Sequence, residues 1–406
     1  MRLLTVVPEI EGFLSKFRPC LSRRQFRHFC RYILGLMASD RKSIKRIASF
    51  CTDRVDQSNL NRFMHSNKVD DESIQSRMME LVWRDVTRSR PAGRMKVYLI
   101  IDDSLLEKFG RHMEGTGYLF STKDGKSILC HDIVTSCMVV NGKEYPVDVR
   151  LYVREEVCMK QNIQFKTRIE LALELINFFT VPDNTDVIVL FDSWYLCSDI
   201  VDAVHAKGWH YVSESKSNRR VVFDDDYDDD YYDGGMDTSI KELPVLFRHM
   251  FSDHAIEGEL YSSFQTNVRM GGLGSINLLM KVKMFQKDPD EMHFLVSDIM
   301  EMDTQSMVLT YGIRHKIEEF YRNSKQSLGL GEYMVRDIMA SNRHWRLVFV
   351  TYTLLILLKE TQNLLQHTIG ELCDWIRERC VESLMSKVYS MTRENLKFEH
   401  IVQTFR

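Results

Sequence analysis

Tyr311, Arg314, Glu318 and Lys325 stand in "YGIRHKIEEFYRNSK" at intervals of three, four and seven residues. At about 100° per residue their side chains fall within an arc about 60° wide. Ile313, Ile317 and Phe320 form an apolar stripe on another side of the same helix. Such an arc either makes surface ion pairs or meets a charged ligand. Further acids mark the ends of two apolar runs: Asp102 and Asp103 in "MKVYLIIDDSLL", and Asp192 after "DVIVLF". Ligands of α/β sheets gather beyond the carboxyl ends of strands, so Asp192, Glu318 and one of Asp102 and Asp103 can converge. Three carboxylates around one point repel one another, and an oxygen-only set suits Mg2+, with Mn2+ as a substitute. Two such ions about 3.5 to 4 Å apart serve an in-line phosphodiester displacement, the chemistry of a nuclease or strand-transfer site. Arg314 and Lys325 would then neutralise DNA phosphates, and Tyr311 would donate to a phosphate oxygen or stack on a base.

The elements that must position these residues are legible as changes of period. "MKVYLIIDDSLL" reads as a buried strand. "ILCHDIVTSCMVV" and "EYPVDVRLYV" read as two more, joined at Asn141-Gly142, a hairpin signal. A helix in "NIQFKTRIELALELINFF", a strand in "DVIVLFDSWY", a helix in "CSDIVDAVHAKG" and a strand in "WHYVSES" follow. This order describes an α/β fold, a mixed sheet flanked by helices. Residues 216–308 interrupt it with strand-like pieces, a β-rich insertion that opens with "SKSNRR" and then seven aspartates between Asp224 and Asp233. That acidic run is expected to be solvated. Lys216, Arg219 and Arg220 are candidate contacts to DNA flanks, and Trp194, two residues after Asp192, is a candidate for base stacking or for packing.

The first ninety residues carry 18 Lys and Arg against 10 Asp and Glu, whereas the rest of the chain carries 36 against 47. A basic arm on an acidic body suits a polyanionic partner. "SIKRIASFC" and "DQSNLNRFM" read as two short helices across a turn, the second offering Asn59 and Arg62 as donors, in the manner of a helix-turn-helix. The expected division is a helical DNA-binding domain over 1–90, a catalytic domain over 95–215, the insertion over 216–308, the helix with the third acid over 309–340 and a helical region over 341–406. "SRPAGR" at 89–94 is the expected linker. Nine cysteines without a CxxC pair, and no secretory signal, fit reduced thiols in the cytoplasm. The longest apolar run, "LVFVTYTLLILL" at 347–358, is too short to span a bilayer and reads as a buried helix. "SLGLGEY" lacks a strand-to-helix phosphate loop, so no nucleotide cofactor is expected.

The spacing Tyr-x2-Arg-x3-Glu-x6-Lys, with "IIDDS" and "LFDSWY", resembles the DDE transposases of bacterial insertion sequences, in particular the cut-and-paste group with this Tyr-Arg-Glu-Lys signature. The resemblance spans about residues 95–330 and implies a ribonuclease H-like catalytic domain holding Mg2+ on Asp102, Asp192 and Glu318. It favours Asp102 over Asp103 because Ser104 matches a small hydroxyl residue two positions after the first acid. Alternation agrees, since Asp102 shares a face with Tyr98 and Ile100. The same resemblance implies cleavage at terminal inverted repeats, strand transfer into target DNA and a synapsed homodimer. A nuclease of the same fold without strand transfer, or an inactive DNA-binding regulator, are the alternatives.

Overall fold

The computed structural model describes residues 7–51, 56–88, 93–110, 112–223, 237–284, 292–394 and 396–398. The acidic run at 224–233 lies outside these residues, as does most of the 89–94 linker. Five helices come first: α1 (Pro8–Ser15), α2 (Arg23–Ala38), α3 (Ile44–Phe50), α4 (Gln57–Met64) and α5 (Asp71–Arg88). Ser22 and Gln25 close a reciprocal capping box at the start of α2, which fixes where that helix begins.

The central sheet starts with β1 (Met95–Glu107), β2 (Gly117–Ser121), β3 (Lys126–Val140) and β4 (Lys143–Tyr152). Asn141 and Gly142 turn the β3–β4 hairpin with φ of 52° and 74°, the left-handed pair that a two-residue turn requires. After α6 (Glu155–Gln161) and α7 (Arg168–Phe178) the chain crosses to β5 (Thr185–Phe191), then passes through α8 (Ser198–Ala206) to β6 (His210–Glu214). β1 pairs antiparallel with β3 and parallel with β5, β3 pairs antiparallel with β4, and β5 pairs parallel with β6. The order β4-β3-β1-β5-β6, with β3 alone reversed, is the ribonuclease H-like arrangement.

The inserted segment contributes β7 (Arg220–Val222), β8 (Asp237–Ser239), α9 (Leu243–Leu246), β9 (Ser252–Ile256), β10 (Glu259–Met270), β11 (Gly274–Lys283) and β12 (His293–Ser297). β12 pairs antiparallel with β6, so the insertion prolongs the central sheet to twelve strands. The chain then returns over the sheet as α10 (Thr304–Gly312), α11 (His315–Asn323), a π-helical turn (Ser324–Leu328), α12 (Ile338–Thr361) and α13 (Ile369–Arg393). α10 packs on β6 and β12, α11 on β1 and β4, and α12 on β4.

α12 contains the long apolar run and is buried on most of its circumference, against α1, α2, α4 and α5 as well as the sheet. No described helix is long and apolar enough to cross a membrane. The fully buried Arg343 of α12 donates to the carbonyls of Phe63, Met64 and Val69 and pairs with Asp71. The N-terminal helices therefore share a core with the C-terminal ones.

Candidate active site

The last paired residues of β1 and β5 are Ile100 and Leu190. β1 runs on to Glu107 against β3, whereas β5 ends at Phe191. Asp102 thus lies within a strand and not at its end, as the sequence suggested, at the point where the neighbouring strand stops and a crevice opens. Asp192, two residues beyond the last pair, follows the end of β5 near enough to Asp102 for its charge to act on that carboxyl. Asp192 is held at the strand end: its Oδ1 accepts from the Trp194 amide at 2.9 Å, and its carbonyl accepts from Ser213 Oγ at 3.3 Å.

Glu318 comes from α11 above the same crevice. Arg314 joins the elements, donating from Nη2 to Asp102 Oδ1 and from Nη1 to Glu318 Oε1, each at 3.1 Å. The charges of Asp102, Asp192 and Glu318 all act on this guanidinium. The Tyr321 phenol donates to the Asp102 carbonyl at 3.1 Å and so pins α11 to β1. Burial pushes the Asp102 carboxyl up to about 7, Arg314 opposes the shift, and the charges of Asp103 and Asp192 add to it.

Asp103 points the other way. It accepts from Tyr195 Oη at 3.0 Å and feels Arg168 of α7, which is bonded to Asp132 and lies over the Tyr152 ring. Asp103 is thereby committed to a buried network on the opposite face of the sheet, where Glu318 cannot reach it.

The four residues of the opening pattern do not share one continuous helix. Tyr311 lies in the last turn of α10, Arg314 is the N-cap of α11, and tight three-residue hydrogen bonds from Ile313, Arg314, Lys316 and Ile317 fill the junction. The wider π turn begins at Ser324, so Lys325 leaves the phase of Glu318 and donates instead to Ser104 Oγ at 2.8 Å and Leu105 O at 3.1 Å. Tyr311 remains beside the crevice, where the charges of Asp102 and Asp192 reach it.

Trp194 is 54% exposed, with the Lys216 ammonium 5.0 Å from its ring. Arg219 is engaged with the Leu196 carbonyl and steadies the segment after Asp192. Arg220 pairs with Asp237 on the surface, away from the acids. On α4, Asn59 and Arg62 are exposed and bonded to each other at 3.2 Å, while Leu60, Phe63 and Met64 are buried.

Sequence reasoning missed Glu214. It closes β6 just as Asp192 follows β5, and "WHYVSES" carries the same strand-into-acid signal. His293 Nδ1 lies 2.8 Å from its Oε1.

Among the described residues no three His, Cys, Asp or Glu side chains are already gathered into a metal cage. Asp102 and Glu318 meet across Arg314. The donor set is nonetheless all carboxylate oxygen; Asp102 is raised chiefly by burial, and the charges of Asp103 and Asp192 that add to the shift are ones a hard divalent cation would offset. The residues fit such a group.

The sequence matches the family model described as DDE superfamily endonuclease over residues 16–237, and the transposase DDE domain over residues 162–354. The first match covers more than half of the chain, and the protein belongs to the DDE superfamily of endonucleases. Transposases of this superfamily act on DNA and generally use divalent metal ions. No curated protein matches the sequence. Among solved structures, a cryo-EM structure of the piggyBac transposase synaptic complex with hairpin DNA is similar, with 12% identity, a TM-score of 0.49, and 99% of this chain and 82% of that chain covered.

Proposed function

We propose that this DDE-superfamily protein is a DNA transposase that cleaves phosphodiester bonds at the ends of its own element and joins the freed 3′-hydroxyls to target DNA. The observation that carries the reading is the meeting of Asp102, Asp192 and Glu318 around Arg314 at the mouth of the crevice between β1 and β5. Asp102, Asp192 and Glu318 would hold Mg2+, or Mn2+ in its place. Bound there, the cations would activate the attacking oxygen and stabilise the leaving oxygen of an in-line displacement.

The protein's own residues orient the DNA. Trp194 and Lys216 offer an exposed ring and a cation beside Asp192, an arrangement suited to an unstacked base and its phosphate. α4 presents Gln57, Ser58, Asn59, Asn61 and Arg62 outward from a buried base, which supports a role in reading the element's ends. Two ends must be handled together, so the working form is a synaptic homodimer on terminal inverted repeats.

Full-length protein, a labelled duplex carrying one element end, a target plasmid and Mg2+ test the reading. Nicking at the end followed by a joined product is expected. Nicking without joining would reduce the function to that of a nuclease, and binding without nicking to that of a regulator.

A further inference from the structure

Three neighbouring parallel strands, β1, β5 and β6, deliver carboxylates in step. The pairs Ile100–Leu190 and Leu190–Val212 set a common phase, and two residues further on stand Asp102, Asp192 and Glu214. Side chains at matched positions of adjacent strands share a face, and α10 and α11 cover this one. Glu214 feels the charge of Arg314, and Tyr311 feels that of Glu214.

Arg314 and a divalent cation compete for the same oxygens. A guanidinium 3.1 Å from both Asp102 Oδ1 and Glu318 Oε1 is repelled by a double positive charge on those carboxylates, so it needs another anion within reach. Its buried Nε has no hydrogen-bond partner, which leaves one face of the fork open to receive one. Glu214, next to Asp192 in the row and within range of the charge of Arg314, is the carboxylate that the cation would leave free. His293 holds Oε1, Lys281 lies close enough to sense its charge, and Oε2 accepts no bond from a described protein residue.

We propose that Glu214, anchored by His293, is a positioning residue that takes over Arg314 when Asp102 and Glu318 turn to a divalent cation. The inference rests on the reading of the three acids as a cation site. Glu214 acts on the cation through Arg314 alone, by stabilising the arrangement in which the arginine has swung away. Apparent cation affinity scales with the population of that competent arrangement.

The test is a double-mutant cycle on the full chain, reading Mn2+ binding by electron paramagnetic resonance, with no DNA and no activity assay. Glu214→Gln is expected to weaken Mn2+ binding about tenfold, as a tenfold loss of the competent arrangement would. Arg314→Ala removes the competitor and is expected to tighten binding. In the Arg314→Ala background, Glu214→Gln is expected to change nothing further. Unchanged affinity of Glu214→Gln in the wild-type background overturns the proposal. Equal weakening in both backgrounds also overturns it, because Glu214 would then touch the cation directly. Thermal unfolding in chelator checks that Glu214→Gln folds; should it not, His293→Asn reads the same loss in the same direction, and unchanged affinity there refutes the idea. A wild-type protein that binds no Mn2+ at all would sink the underlying reading instead.

Discussion

At the scale of single residues, the choice between two adjacent aspartates decides the chemistry. Asp102 faces Arg314 and Glu318, while Asp103 is bound into the Tyr195, Arg168 and Asp132 network behind the sheet. Asp102→Asn, Asp192→Asn and Glu318→Gln are each expected to slow single-turnover nicking at least about a thousandfold, the scale of several kcal/mol of lost charge stabilisation. DNA binding, read by gel shift in the same preparations, is expected to change little. Asp103→Asn should retain nicking, and its loss would show that the sheet presents the wrong aspartate. Tyr321→Phe removes the donor to the Asp102 carbonyl and leaves a buried acceptor unmet, at a cost of about 1 to 3 kcal/mol in urea unfolding.

At the scale of elements, helix phase was only partly legible. The arc from Tyr311 to Lys325 assumed an unbroken α-helix, but a tight junction at Ile313–Arg314 and a π turn at Ser324 re-aim both ends of it. Arg314 and Glu318 kept their predicted relation because they sit four residues apart across a single turn. Strand limits shifted for a different reason. β1 continues past its aspartates because β3 still offers hydrogen bonds there, which no property of the β1 segment itself encodes. α12 carries the element-scale prediction: Arg343→Leu strands three backbone carbonyls and Asp71 in the interior. It is expected to destabilise the protein by about 3 to 5 kcal/mol, measured as a lower urea midpoint.

At the scale of the whole molecule, the basic N-terminal helices and the C-terminal helices bury each other. A chain lacking residues 1–90 would expose the faces of α12 that pack on α1, α2, α4 and α5. It is expected to aggregate or to lose its sharp thermal transition, and a monodisperse, cooperatively unfolding 91–406 fragment would refute that. The same shared core sets an acid sensitivity. Burial lowers His344 to about 3, and its ring meets Tyr32 Oη and the Gly329 carbonyl. An unfolded His titrates near ~6.5, so between pH 6.5 and 3 the unfolded chain binds a proton that the folded one refuses, and stability is lost as pH falls. Buried Asp102 and Asp132, raised to about 7, act in the opposite sense, so only a difference isolates the histidine. His344→Gln is expected to lose about 2 kcal/mol less than wild type between pH 7 and pH 5 in denaturant titrations.

Residue types, their order and local period were enough to place Asp192 at the end of a strand and to identify the hairpin at Asn141-Gly142, the buried helix at 347–358 and the helical arms. Each depends on contacts within a few residues or on burial of a repeating apolar face. Alternation favoured Asp102 over Asp103, but tertiary structure alone decided that Arg314 stands between Asp102 and Glu318, that Lys325 turns to β1, and that Glu214 completes a row across three strands. Those facts depend on register between segments far apart in the chain, and a shift of one residue in any of the pairings would turn the acids to the opposite face.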